Sequence, residues 1–203
     1  MFAISALQFF LTAQPTVSFW DPGELSAAAY MLQVPHPPGG PLFSLVGRFF
    51  YLIPMPGDLG FRMNMVSVAS SACAVLFVYL IAVRLIRRFR PGEPESAAGV
   101  WGTILPAAIG ALALSFCDSF WFNGVEANYF AASTVLFTAM LWLLLVWDEK
   151  ADEPGSGRYL LLIAYLAGLS AGVHLMSVPT IFTVAMVVVF RKFVADDDVC
   201  RKT

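Results

Sequence analysis

Long apolar stretches separated by short polar links fill most of this 203-residue chain. A helix needs about 20 mainly apolar residues to cross the hydrocarbon core of a bilayer. The clearest apolar stretches cover residues 61–83, 97–116, 129–147, 159–172 and 175–190. Residues 2–20 form a further apolar segment, and the absence of a basic residue before it disfavours a cleaved signal peptide. We therefore predict about six membrane spans.

Residues 21–58 break this pattern, because they contain acids, a histidine and many prolines. Two shorter apolar segments lie within them, at residues 25–33 and 42–53. The first is too short to span, and the second has the length typical of interfacial or re-entrant elements. We predict that both are helices lying along the membrane surface. The fold class is then all-α, a polytopic transmembrane helical bundle that forms a single domain over residues 1–203.

The positions of the basic residues predict the orientation of the bundle, because Lys and Arg concentrate in cytoplasmic loops. If residues 20–58 form a first outer loop, ten of the twelve basic residues fall inside: Arg84, Arg87, Arg88, Arg90, Lys150, Arg158, Arg191, Lys192, Arg201 and Lys202. Arg48 and Arg62 remain outside. Residues 117–128 then form a second outer loop, and residues 191–203 form a cytoplasmic tail.

Composition narrows the classes of function. The chain is 59% hydrophobic and 13% charged, whereas soluble domains average about 45–50% and about 25%. The three cysteines show no CxxC spacing, which argues against a disulfide framework or a metal site. No basic patch interleaved with aromatic residues suggests nucleic acid. We expect the lipid bilayer as the surroundings, with no metal and no cofactor.

Polar and ionisable residues collect on the predicted outer face, and such groups at a membrane tend to be functional. The candidates are Asp21, Glu24, His36, Arg48, Arg62, Glu126, Asn128 and, at the end of a span, His174. Asp21 and Glu24 also have a structural alternative. The sequence Asp-Pro-Gly-Glu is typical of a helix start, with Asp21 as the cap and Glu24 reaching back. An aspartate that caps a helix can still act in catalysis.

The histidines and arginines have structural alternatives as well. His36 lies in a Pro-His-Pro-Pro loop, where a polar contact within a rigid loop is the alternative to a role in the site. His174 follows Gly172-Val173 at a span end, where a hydrogen-bonded structural histidine is the alternative to a catalytic one. Arg48 and Arg62 either extend towards lipid headgroups or bind a phosphate.

Several motifs carry a resemblance to a known family. They are Phe19-Trp20-Asp21-Pro22-Gly23-Glu24-Leu25, Gly47-Arg48-Phe49, Arg62-Met63-Asn64 and Val125-Glu126-Ala127-Asn128-Tyr129, together with residues 32–43, 116–122 and 168–175. In this order they resemble a bacterial family of membrane proteins related to the vertebrate transmembrane protein 260 O-mannosyltransferase. That family belongs with the GT-C glycosyltransferases, and the resemblance covers nearly the whole chain.

The resemblance implies both a fold and a reaction. GT-C enzymes have a large first outer loop with two surface helices, and they take a sugar from a polyprenyl-phosphate carrier at the outer face. It implies Asp21 as general base, with Glu24 and Glu126 as supporting acids, and His36, Arg48, Arg62, Asn128 and His174 as substrate-binding residues. The expected activity is transfer of a sugar, mannose by this resemblance, to a Ser or Thr hydroxyl of a protein or peptide. The expected location is the inner membrane, with the active face periplasmic.

The alternative is a non-enzymatic membrane protein, either a transporter or a catalytically incomplete subunit. Transporters place polar groups near the middle of the membrane, often in repeated halves. Here the polar groups collect at one face and no internal repeat is visible, which favours the enzyme. Members of the resembling family are commonly longer, so the resemblance implies an N-terminal fragment or a short member.

Overall fold

The computed structural model describes residues 1–37, 39–90 and 96–194, and these residues form helices but no β-strand. The α-helices among them are α1 (Phe2–Thr12), α2 (Asp21–Met31), α3 (Pro41–Leu52), α4 (Leu59–Phe89), α5 (Ala97–Ser115), α6 (Asp118–Gly124), α7 (Tyr129–Glu149), α8 (Gly157–Ala171) and α9 (Thr180–Val189). A 3-10 turn at Leu175–Ser177 precedes α9, and a π-helical turn at Phe190–Val194 follows it. The predicted all-α class is confirmed.

Four helical segments are long and apolar enough to cross a membrane: α4, α5, α7 and the stretch Leu175–Val194, which contains α9. They correspond to four of the six predicted spans. The other two appear as shorter apolar helices, α1 with 11 residues and α8 with 15 residues. Their lengths are about 16 and 22 Å, compared with a hydrocarbon core of about 30 Å.

α1 is shorter than the predicted apolar segment because the chain leaves the helix after Thr12. The amide of Gln14 donates to the carbonyl of Val125 at 2.9 Å. The side chain of Asn64 donates to the carbonyls of Gln14 and Thr16 at 2.8 and 3.0 Å. These long-range bonds satisfy backbone groups that a helix would otherwise pair internally. Residues 13–20 therefore form an extended connecting segment.

Both segments that were predicted as surface helices are helical, with shifted starts. α2 begins at Asp21, four residues before the predicted start, and α3 begins at Pro41. Each has a proline in its first turn, where the missing amide hydrogen costs nothing. The two helices are joined by a bond from the Tyr51 hydroxyl to the carbonyl of Ser26 at 2.9 Å. Asp21 is therefore part of the first helical turn, and the predicted loop before α2 is shorter.

α4 is the central helix and packs against α1, α3, α5 and α7. One buried cluster lies where α2, α3, α4 and α7 meet, and it includes Leu25, Ala29, Phe43, Met63, Tyr129 and Val173. A second cluster surrounds Phe9, which is fully buried against α4. A third joins α7 to α8 around Trp147 and Ile163. The packing of α4 and α7 against the other helices therefore holds their first turns in place.

Cys73 and Cys117 are free thiols. Within residues 1–37, 39–90 and 96–194, no three His, Cys, Asp or Glu side chains come together in a way that could hold a metal ion. Cys200 and most of the predicted cytoplasmic tail, including Arg201 and Lys202, lie outside the described residues, as does Pro38.

Candidate functional site

Elements that are distant in sequence meet at one end of the bundle, which we call the site end. It comprises the connecting segment 13–20, the start of α2, residues 32–37 and 39–40, the loop 125–128, the start of α7 and the turn 172–174. The Leu42 amide donates to the Gly172 carbonyl at 2.7 Å, which joins the start of α3 to that turn. Gly40 has a positive φ of 42°, and a Cβ there would lie 2.3 Å from the Tyr129 ring. Only glycine allows the loop this approach.

Glu24 and His36 form a two-point contact at the site end. The backbone amide of His36 donates to one carboxylate oxygen of Glu24 at 2.6 Å, and Nδ1 lies 2.8 Å from the other. The hydrogen bond with His36 holds the pKa of Glu24 below its ordinary value. The hydrogen bond with Glu24 raises the pKa of His36, and the charge of Asp21 adds to this effect. Glu24 thus binds the loop instead of reaching back to cap α2.

Asp21 is exposed at the first position of α2, next to this pair. The cap position of α2 is occupied by Trp20, whose side chain makes no capping hydrogen bond. Asp21 therefore does not cap the helix as predicted. Among the described residues, no hydrogen bond or ion pair holds the Asp21 carboxylate. Trp20 is 93% exposed and has a positive φ of 70°, a conformation that is unfavourable for an aromatic residue. The result is an accessible carboxylate beside an exposed indole.

Tyr129 lies between the two histidines. Its ring centre is 6.3 Å from that of His36 and 6.0 Å from that of His174, while Phe43 packs against it at 4.9 Å. The side chain is 95% buried, since its relative exposure is 5%. Its hydroxyl is buried without a hydrogen-bond partner, although such groups are nearly always paired in proteins. Tyr129 is not among the site residues predicted from the sequence. Its position next to Asn128 in a family motif is the feature that could have identified it.

His174 and Asn128 both make local backbone contacts. Nδ1 of His174 accepts the amide hydrogen of Met176 at 3.1 Å, so a proton on the neutral ring must be on Nε2. The side-chain oxygen of Asn128 accepts from the amide of Phe130 at 3.0 Å and caps α7. His174 therefore keeps one nitrogen for another partner, whereas the Asn128 oxygen is used in holding the start of α7.

Glu126 is buried behind the exposed groups, with 5% of its surface accessible. The hydroxyl of Ser18 donates to its carboxylate at 2.6 Å. Asn64 is fully buried and accepts the amide hydrogen of Ala127 at 2.9 Å, in addition to its two bonds to the connecting segment. Together these bonds hold the segment that leads to Asp21 against the loop before α7. This role of Asn64 is not among the predictions from the sequence. An Asn at the start of an otherwise apolar span is the feature that could have identified it.

The two predicted outer arginines are placed differently. Arg48 donates to the carbonyl of Tyr30 at 2.9 Å and lies over its ring. Tyr30 is near the far end of α2, about 14 Å along the helix axis from Asp21. Arg62, in the second turn of α4, donates to the carbonyl of Tyr51 at 3.3 Å, and its Nε is buried without a partner. The Nε–H of Arg62 is therefore a buried donor without a partner among the described residues, and an anion could accept its hydrogen.

These features define a helical membrane protein with carboxylates, two imidazoles and a buried phenol gathered at one end of its bundle. Residues 21–196 match the family described as the N-terminal domain of protein O-mannosyl-transferase TMEM260. Because this match covers most of the chain, the chain belongs to that family. The predicted relation to transmembrane protein 260 is confirmed.

Two curated relatives are similar over most of this chain. Protein O-mannosyl-transferase tmem260 of Dictyostelium discoideum is 25% identical in an alignment of 194 residues that covers 92% of this chain and 22% of the relative. Protein O-mannosyl-transferase TMEM260 of Mus musculus is 28% identical over 181 residues, which are 89% of this chain and 23% of the relative. The chain thus spans less than a quarter of the length of these relatives. No solved structure matches it.

Proposed function

We propose that this chain forms the site-bearing part of a membrane glycosyltransferase of the GT-C type. It moves a sugar, mannose in this proposal, from a polyprenyl-phosphate carrier to a Ser or Thr hydroxyl of a protein or peptide. The site end faces the outside of the inner membrane. The observation that carries the proposal is the accessible Asp21 carboxylate beside the Glu24–His36 pair, in a chain that matches an O-mannosyl-transferase family from residue 21 onward.

In the proposed reaction Asp21 acts as the general base. Its carboxylate takes the proton of the acceptor hydroxyl while that oxygen forms a bond to C1 of the sugar. The bond between C1 and the carrier oxygen breaks, and its electron pair leaves with the carrier phosphate. A base of this kind needs only to be within hydrogen-bond reach of the hydroxyl. The exposure of Asp21 and its lack of a protein partner among the described residues support this role.

The surrounding groups support distinct steps. Nε2 of His174 is available for a hydrogen bond to a sugar hydroxyl. In this proposal the positive charge of the Arg62 guanidinium stabilises the negative charge of the leaving phosphate. Arg48 is further from Asp21 along α2 and is suited to a more distant part of the carrier or acceptor. The buried Glu126 acts through Ser18 by holding the connecting segment.

A second candidate is a non-enzymatic membrane subunit that binds the lipid-linked sugar or the acceptor without transferring the sugar. The observation that favours it is that the Tyr129 hydroxyl and the Arg62 Nε are both buried, whereas the exposed Trp20 offers a surface for binding. A transporter is disfavoured, because the polar groups lie towards the two ends of the bundle, whereas transporters place them near the middle of the membrane.

The test is the variant Asp21→Asn, with the chain reconstituted in liposomes and given polyprenyl-phosphate mannose and a Ser/Thr peptide. Asparagine keeps the shape but is a very poor base, so transfer should fall about 10²–10⁴-fold with folding intact. Asp58→Asn is the matched control, because Asp58 caps α4 on the same side of the molecule and asparagine caps equally well. Near-normal transfer by Asp21→Asn would refute the assignment. Donor binding without transfer by the unmodified chain would favour the second candidate.

A further inference from the structure

A second group of charged residues lies at the opposite end of the bundle, which we call the basic end. α4 and α7 both start at the site end and extend over 31 and 21 residues, or about 46 and 32 Å. Their final turns meet the π-helical turn Phe190–Val194 around a cavity of about 640 Å³. The cavity is lined by Leu80, Val83, Arg84, Arg87, Arg88, Trp142, Asp148, Glu149 and Arg191.

The lining carries four arginines and two carboxylates. Asp152, outside the lining, also pairs with Arg191 at 2.6 Å, which leaves an excess of one positive charge. Arg84 pairs with Glu149, and Arg88 pairs with Asp148 at 2.5 Å. Arg87 is exposed, and within the part of the chain that the structure describes its side chain makes no ion pair and no hydrogen bond. Exposed ion pairs contribute little to stability. An incoming anion can therefore bind Arg87 and also share the paired arginines.

An apolar groove of about 480 Å³ continues from this cavity and shares Arg88, Asp148 and Arg191 with it. The remaining lining residues of the groove are apolar: Leu144, Leu145, Met186, Val187, Phe190 and Val194. A free phosphate would use only the basic cavity. A molecule with an anionic head and an apolar chain would use both, and a phospholipid of this kind is present in the surrounding bilayer.

We propose that the basic end binds an anionic phospholipid, with its phosphate among the arginines and an acyl chain in the groove between α7 and α9. Arginine suits this role because its planar guanidinium binds phosphate oxygens in pairs. Basic pockets between spanning helices recognise anionic headgroups in this way. The site is separate from the proposed transfer site, since the length of α7 lies between them.

Native mass spectrometry of the purified chain tests the proposal with equimolar phosphatidylglycerol and phosphatidylcholine of the same acyl chains. We expect phosphatidylglycerol to be retained at least about fivefold more than phosphatidylcholine. Arg87→Gln should lower this preference about threefold, because it removes an arginine without breaking an ion pair. Arg158→Gln is the matched control, since Arg158 lies on the same predicted face but stacks on Tyr159 outside the cavity. It should retain the full preference.

Three results would overturn the proposal. The first is equal retention of the two lipids by the unmodified chain. The second is an equal loss of preference in Arg87→Gln and Arg158→Gln, which would indicate a general surface charge. The third is displacement of the lipid by glycerol phosphate at equal concentration, which would show a site for a free anion with no use of the apolar groove. Thermal unfolding of both variants checks that they are folded.

Discussion

The two ends of the bundle hold their polar groups in different ways. At the site end, buried groups join separate elements beside the exposed Glu24–His36 contact. Asn64 is fully buried and makes three hydrogen bonds to backbone atoms of residues 14, 16 and 127. At the basic end the contacts are ion pairs between charged side chains that are mostly accessible: Arg84 and Glu149 are 29% and 46% exposed, although the Asp148 side chain is only 11% exposed.

This difference indicates what each end is suited to do. A buried polar group that loses its partner carries the full cost of desolvation, so buried bonds allow a single arrangement. Exposed ion pairs contribute about 0–1 kcal/mol and can exchange partners easily. The site end is therefore preorganised, as charge stabilisation in a reaction requires. The basic end is adaptable, which suits the binding of a mobile headgroup.

The largest expected effect comes from Asn64→Ala. The variant leaves two carbonyls and one amide without their partner, so the free energy of unfolding should fall by about 3 kcal/mol. Thermal unfolding in detergent measures this, and hydrogen exchange should rise first at residues 14–18 and 126–128. Glu149→Gln at the basic end is the comparison, with an expected loss below about 1 kcal/mol. Equal losses of unfolding free energy in the two variants would show that the two ends do not differ in this way.

A smaller effect is expected from Gly40→Ala. The new Cβ would lie 2.3 Å from the Tyr129 ring, at a position with a positive φ. Overlap and backbone strain together should cost about 2 kcal/mol. Gly155→Ala, in the loop after α7, is the matched control because its φ is 79° and nothing lies within 4 Å of the new Cβ. It should lose only about 1 kcal/mol from strain. If Gly40→Ala is no less stable than Gly155→Ala, close packing at the site end is refuted.

The smallest effect concerns Glu24 and His36, which are as exposed as the ion pairs of the basic end. The pKa of His36 is raised by its contact with Glu24. The stabilisation that depends on His36 is therefore complete below about pH 6.5 and is lost as the pH rises through the raised pKa. The pKa of Glu24 is lowered, so the stabilisation is also lost as pH falls through that lowered pKa. The contact should therefore be strongest in the pH range between these two limits.

Nuclear magnetic resonance of the histidine side chains checks this prediction. The chain has two histidines, so the variant His174→Gln identifies the signal of His36. Its titration midpoint should lie above 6.5 and move towards 6.5 in Glu24→Gln, because the main cause of the raised pKa is removed. Asp21→Asn should produce a smaller change in the same direction. An unchanged midpoint in Glu24→Gln would contradict the contact.

The sequence by itself determined the helical class and most of the long spans. Apolar length alone predicts α4, α5 and α7 at nearly their observed bounds, because a bilayer accepts only segments that satisfy their own backbone groups. The apolar segments 25–33 and 42–53 predict α2 and α3, but α2 begins four residues before its predicted start because Pro22 fits into a first helical turn. The family motifs identify Asp21, Glu24 and His36 as candidate site residues from the sequence alone.

Tertiary structure decided how those candidates are used. It paired Glu24 with His36 across the loop, where the sequence equally allowed a helix cap, and it left Asp21 without a protein partner among the described residues. It also ended α1 early and gave Asn64 and Tyr129 their positions at the site end. Each of these outcomes depends on a contact between distant segments, such as Asn64 with Ala127, 63 residues apart. Local periodicity contains no information about such pairs, because it reports which face of a helix is apolar and not which segment packs against it.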